Sequence, residues 1–310
     1  VSFRADLRTP VTKEWTLQYG AKLGNKGEIK GIYTNRKTTK FLDDFIEFAN
    51  GSTTVVRDGR TFGTFDNVVI RNTDVPTRAY HGLQFLGNYR LTDRWTIGGH
   101  YTLQLKNDGN FEGEGANTPG SYSLFGDRPE FYVDARNRPE GRLDDFQRDK
   151  ARAWTYYNLD MGRAGSATLS LLYRLDSALT YSLTAANQPF SAIQKSRNPG
   201  YATPPTTQTI FFDERGSEFY NGSHLFDMAL SYDIPIWKSI KPWFKAEVRN
   251  MFNADPLTSF DTTISVGPGS PVDADGIPTQ FVKGANFGKA TRLENYPQQR
   301  TFQAAVGFRF

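Results

Sequence analysis

The sequence contains no cysteine, which removes disulfides, thiolate metal sites and cysteine nucleophiles together. Histidine is nearly as scarce: His81, His100 and His224 stand far apart and form no ligand motif. No run approaches the roughly 20 apolar residues that a membrane-crossing helix requires, and mean hydropathy is −0.56. An α-helical membrane protein is therefore excluded. The net charge of +4 over 310 residues is small and dispersed, which speaks against a nucleic-acid partner. The chain opens at Val1 with neither a starting Met nor a signal peptide, and is read as a processed product or a fragment.

A β-barrel survives all of these absences, because its strands hide apolar residues at every second position. Aromatics are abundant at 14%, with 24 Phe, 15 Tyr and 5 Trp, as interfacial girdles would require. An aromatic-rich soluble sandwich or propeller has the same composition, so the decision passes to patterning. The chain ends on Arg300 to Phe310 (RTFQAAVGFRF), with Phe302, Ala304, Val306, Phe308 and Phe310 on one face and Thr301, Gln303, Ala305, Gly307 and Arg309 on the other. Such a ribbon is apolar on one side and wet on the other. Left unpaired, its edge invites aggregation, whereas closure into a barrel abolishes the edge.

Period-two alternation marks nine long strands. The clearest spans 94–106: Trp95, Ile97, Gly99, Tyr101, Leu103 and Leu105 oppose Thr96, Gly98, His100, Thr102, Gln104 and Lys106. Before it, Leu83, Phe85, Gly87, Tyr89 and Leu91 oppose Gln84, Asn88 and Arg90. Near the start Trp15, Leu17, Tyr19, Ala21 and Leu23 oppose Glu14, Thr16, Gln18 and Lys22, and a weaker partner covers 28–38. Further strands are marked by Tyr157, Leu159 and Met161, by Ala167 to Leu175, by Phe226 to Ile234 and by Phe244 to Val248.

The connections alternate strictly. Short turns fall at 24–27, 92–93, 162–165 and 235–239, and long segments cover roughly 39–78, 107–147, 185–221 and 253–299. Structureless loops of that length are uncommon in compact soluble domains, whereas short turns at one end and long loops at the other are the outer-membrane pattern. The expected fold is an all-β transmembrane antiparallel β-barrel with short periplasmic turns and long extracellular loops. Nine strands cannot close a single-chain bacterial barrel, which needs an even number. Either a strand has escaped notice or N-terminal strands belong to another segment.

Several motifs point to one family. Asp6 to Gly20 (DLRTPVTKEWTLQYG) is similar to an "N-x-D-L-K-P…E-x-x-L-G" entry into a mid-barrel strand, departing at Arg8 and Thr9, where a Lys is usual. Tyr33 to Asp44 (YTNRKTTKFLDD) resembles the strand that follows. Leu91 to Thr102 (LTDRWTIGGHYT) matches a recurrent "L-x-x-x-W/F…G-x-Y-T" hairpin, and Val248 to Asn253 (VRNMFN) is close to an "N-L-F-N" ending with Met251 in place of Leu. Together they resemble the C-terminal part of the barrel of TonB-dependent outer-membrane transporters, nearest the Oar-like branch. The resemblance covers most strands and little of the long loops, with residues 1–310 as the C-terminal portion of the receptor barrel.

That resemblance implies a barrel of 22 strands filled by an N-terminal plug, which this sequence does not contain. It implies uptake of a scarce substrate (siderophore, oligosaccharide or peptide) across the bacterial outer membrane, without enzymatic activity or cofactor. The implied partners are outer-membrane lipid, the missing strands and plug, an inner-membrane energy-coupling protein acting through the plug, and the barrel-assembly machinery. Val306, Phe308 and Phe310 match the family's assembly signal, while Ala305 departs from its frequent Gly.

Among loop residues, Phe111, Tyr122, Phe125, Phe131 and Tyr132 either stack on a sugar or peptide or pack the loops together, and the second is preferred. Asp273-Ala-Asp-Gly276 has the start of a calcium loop without the downstream carboxylate, and reads as a solvated turn. Asp43-Asp44 and Asp144-Asp145 would serve as glycosidase acid and base only within one cleft, and read as exposed loop charge. The rivals are a complete smaller barrel (porin or adhesin) and a soluble carbohydrate-binding β-protein.

Overall fold

A computed structural model describes residues 1–47, 51–112, 129–235 and 241–309. Nine strands follow one another along a single antiparallel path: β1 (Val11–Leu23), β2 (Gly27–Thr39), β3 (Arg78–Thr92), β4 (Trp95–Gly109), β5 (Asp149–Asp160), β6 (Ser166–Asp176), β7 (Ser223–Asp233), β8 (Lys241–Arg249) and β9 (Thr301–Arg309). They are the nine that alternation marks, with ends moved by a few residues. Among the described residues β1 pairs only with β2 and β9 only with β8, so the sheet is an open arc. Phe310 lies outside the described residues.

The register joins the separate strand faces into one. Leu23, Gly27, Tyr89, Ile97, Thr155, Leu171, Met228, Val248 and Phe302 stand opposite one another in turn, one from each strand. Directly paired residues share a face, so this row and those two residues away form an apolar surface continuous over the whole arc. The next row, on the other face, holds Arg90, Thr96, Tyr156, Ser170, Ala229, Glu247 and Gln303. A bulge between His81 and Gly82 leaves Leu105 without a partner, which ends the strict alternation of β4 where it leaves the wall.

Burial shows which medium the apolar face suits. Leu17, Tyr19, Phe302, Val306 and Phe308 are 68, 76, 73, 76 and 65% exposed. A soluble sheet would bury such a face, because burying each large apolar side chain is worth about 1.5–3 kcal/mol. Aromatic pairs lie toward both ends of the wall: Trp15 with Tyr33 and Tyr173 with Phe226 toward the loop end, Trp95 with Tyr157 toward the turn end. This is the arrangement of interfacial belts.

The opposite face is charged and mutually paired. Arg152 donates both Nη2 bonds to Asp176 at 2.9 Å, Arg174 meets Asp227 at 3.0 Å, and Glu247 accepts from Lys245 and Arg249 at 2.9 and 2.7 Å. Two tryptophans also lie on this face, each over a glycine of the neighbouring strand. A Cβ on Gly98 would come within 2.7 Å of the Trp154 ring, and one on Gly307 within 2.7 Å of Trp243. Glycine is required there for the rings to lie against the backbone.

The buried apolar core lies not in the wall but among the long connections, all four of which leave the same end of the sheet. Phe41, Ile46, Ile70, Leu143, Ile210 and Ile277 are each no more than 2% exposed. The long segments therefore carry strands of their own, which alternation alone did not mark.

Candidate functional site

The outer assembly is built from pieces of all four long connections. Phe41–Ile46 pairs with Val68–Thr73, whose other edge takes Ser2–Phe3 in parallel. Between those two strands Ser52–Arg57 and Arg60–Asp66 form a projecting hairpin. Asp58 and Gly59 at its tip both have positive φ, 51° and 75°, as a type I′ turn demands. From the third connection, Thr184–Pro189 pairs with Thr207–Phe211 around a bulge that puts Asn187 at φ 56°. The short helix Ala192–Ser196 between them starts on a capping box of Ser191 and Gln194. From the fourth, Ile264–Val266 pairs with Phe281–Lys283.

Charged and amide side chains tie these pieces together. Arg215 is only 7% exposed and donates to Glu112 at 2.6 Å, to the Asn110 carbonyl at 3.0 Å and to the Pro139 carbonyl at 3.2 Å. Glu130 accepts from the Ile46 amide at 2.9 Å and from the Tyr201 hydroxyl. Arg197 bridges Asp134, at 2.8 Å, and Asp275, and these hydrogen bonds, that to Asp275 first, hold its pKa above the ordinary arginine value. A buried chain of amides runs from Asn137 through Gln208 and Gln194 to Asp134, with links of 2.7, 2.9 and 2.6 Å.

A cleft of about 410 Å³ opens among these elements, lined by Asn110, Phe111, Glu112, Tyr132, Asn137, Arg138, Asn187, Thr207, Gln208, Thr209 and Arg215. Its volume is in the range of small-molecule sites. Burial lowers the pKa of Arg138 while the Asp43 and Glu130 carboxylates oppose that shift. At Asp144, burial and then the Glu112 charge push the carboxyl above its ordinary value, against Arg215.

The loop aromatics separate into three groups. Phe111 is 4% exposed, edge-on to Phe41 at 5.3 Å and beneath Arg78 at 4.8 Å. Phe131 is 5% exposed in a cluster with Ile46, Phe190 and Tyr201. Both pack loop against loop, although Phe111 also reaches the cleft wall. Tyr132 is half-buried against Phe190 at 5.7 Å, lines the cleft, and donates to the Thr207 carbonyl at 3.4 Å. Tyr122 and Phe125 lie outside the described residues. Val306 and Phe308 lie on the exposed apolar face of β9.

Other sequence candidates resolve by their partners. Asp273 accepts the amides of Asp275 and Ile277 at 3.0 and 2.9 Å and pairs with Arg136 at 3.2 Å, a turn held by arginines rather than a cation loop. No cluster of potential metal ligands occurs among the described residues. Asp43 is 3% exposed, which corrects the expectation that both acidic pairs are exposed loop charge. It is buried where the Phe41–Ile46 strand packs under the neighbouring connections, and its Oδ1 accepts the Asp44 amide. His81 bonds Tyr33 and Asn35, His224 bonds the Tyr173 hydroxyl at 2.7 Å, and His100 lies on the polar face beside Trp154. The cleft residues that the sequence did not single out, Asn137, Asn187, Thr207 and Thr209, carry no local signal. Contacts across 71 and 72 residues bring Asn137 to Gln208 and Thr209, and the pairing of Thr184–Pro189 with Thr207–Phe211 places Asn187 beside Thr207 and Thr209.

No family model matches this chain, and no curated protein does. Among solved structures it is similar to the outer membrane transporter YddB from Escherichia coli, with a TM-score of 0.50 and 14% identity over 97% of this chain and 33% of that one. A second similarity is to the copper transporter OprC, with a TM-score of 0.41 and 14% identity over 95% and 30%. The chain spans about a third of the length of these solved structures. The first similarity, with the nine-stranded antiparallel arc, assigns the fold: a portion of an outer-membrane β-barrel wall with its long loops.

Proposed function

We propose that the chain is the C-terminal wall and outer-loop portion of a TonB-dependent outer-membrane transporter of the Oar-like branch, and that it has no enzymatic activity. The observation that carries the reading is the single apolar face running in register through all nine strands while the buried core sits among the loops. In hydrocarbon every backbone donor and acceptor must be paired within the protein, so the open edges of β1 and β9 require further strands. The paired charges of the other face, including Arg152 with Asp176 and Arg174 with Asp227, suit a wall against which a plug packs. In this reading the outer loops take up the substrate (siderophore, oligosaccharide or peptide), and an inner-membrane partner moves a plug carried by another segment.

The test is intact mass of the detergent-extracted protein with N-terminal sequencing of every band. A species much heavier than 35.0 kDa, or a tightly bound second chain with a plug sequence, is expected. A single 35.0 kDa species beginning at Val1 would overturn the large-transporter reading and leave a small barrel.

A further inference from the structure

We propose that the 410 Å³ cleft among the outer loops binds a neutral polyhydroxylated ligand, a segment of an uncharged oligosaccharide. Asn137, Asn187, Thr207 and Thr209 would supply the hydrogen bonds, and the Tyr132 ring one wall. The inference rests on the transport reading only in placing this face outward. The lining itself decides the ligand class.

Asn137 is 9% exposed, and its Nδ2 is spent on Gln208 Oε1 at 2.7 Å and the Thr209 carbonyl at 3.2 Å. Its Oδ1, in contrast, is buried and accepts from nothing among the described residues. A buried acceptor left unpaired costs about 1–3 kcal/mol, and a ligand hydroxyl entering the cleft that Asn137 lines would supply the missing donor. The side chains of Asn187, Thr207 and Thr209 line the same cleft, and none makes a hydrogen bond among the described residues. Amides and hydroxyls both donate and accept, which matches the hydroxyls of a sugar.

The charges in the cleft argue against an ion. Glu112 is held by Arg215 at 2.6 Å and by the Asp144 amide at 3.2 Å. Arg215 also donates to two carbonyls. Arg138 donates to the Pro129 carbonyl at 3.2 Å and faces Asp43 and Glu130. An anionic ligand meets guanidinium groups whose charge the Glu112, Asp43 and Glu130 carboxylates already balance, and a cationic one meets a carboxylate already paired. A peptide adding to the Thr207–Phe211 strand fares no better. The Thr207 carbonyl is taken by Tyr132, the Thr209 carbonyl by Asn137, and the Phe211 amide by the Arg136 carbonyl at 2.8 Å.

The test is binding of the detergent-extracted full protein to an array of neutral and acidic oligosaccharides, alongside a panel of tripeptides. Binding confined to neutral glycans is expected. Asn187→Gly together with Thr209→Val is expected to weaken it by about tenfold while protease resistance of the loops is unchanged, because both side chains are exposed and unbonded and glycine accommodates the φ of 56° at position 187. Three outcomes would overturn the site: no glycan bound, acidic glycans or peptides bound instead, or neutral glycans bound equally by the double variant. Each of these leaves the transporter reading standing if the intact mass supports it.

Discussion

Replacing Arg215 with leucine removes a side chain by which the third long connection is fastened to the second, close to the end of the fourth wall strand. Its guanidinium reaches Glu112, Asn110 and Pro139 from a position 7% exposed, so three acceptors lose their donor at once. Glu112 is 37% exposed and can recover water, which limits the cost. The expected destabilisation of the loop assembly is about 2 kcal/mol. Limited proteolysis should show faster cleavage in the loops of Arg215→Leu, while the folded barrel keeps its characteristic gel mobility. Unchanged cleavage would mean that the apolar clusters around Phe131 and Ile210 hold the assembly without the arginine.

At the scale of the strand, neighbouring residues meet opposite media. Leu171 is 42% exposed on the apolar face in the middle of β6, and Ser170 beside it faces the polar row of Tyr156 and Ala229. Arginine at a lipid-facing midplane position costs about 2–4 kcal/mol, and far less toward the lumen. Leu171→Arg should therefore lower the yield and urea resistance of membrane-assembled protein, and Ser170→Arg should leave both close to the parent. Equal effects would remove the distinction between the faces.

This alternation is why the wall was legible in the sequence: a period of two is written in each strand by itself, as in Trp95 to Leu103. Trp154 and Trp243 broke the pattern. Their ring positions depend on Gly98 and Gly307 in neighbouring strands, and no single strand records that. The loops were legible only in length. The burial of Asp43 and the meeting of Asn137 with Gln208 depend on contacts between distant segments, which leave no periodic trace. The projecting hairpin was also missed, because its exposed strands show no apolar alternation against a core.

At the scale of the whole molecule the usual arrangement of a soluble protein is reversed, with apolar side chains outermost on the wall and the buried core gathered at one end. The absence of cysteine from these 310 residues makes this testable, since a thiol introduced here is the only one in this segment, and any cysteine in the remainder of the protein is first replaced by serine. Single cysteines placed at each position from Thr168 to Arg174, spin-labelled in outer-membrane preparations, would report collision with lipid-soluble oxygen or with a water-soluble nickel complex. The account predicts accessibility alternating residue by residue, with oxygen favoured at Leu169, Leu171 and Tyr173 and nickel at Thr168, Ser170, Leu172 and Arg174. A uniform profile, or nickel access at Leu171 equal to that at Ser170, would contradict the assignment of this face to lipid.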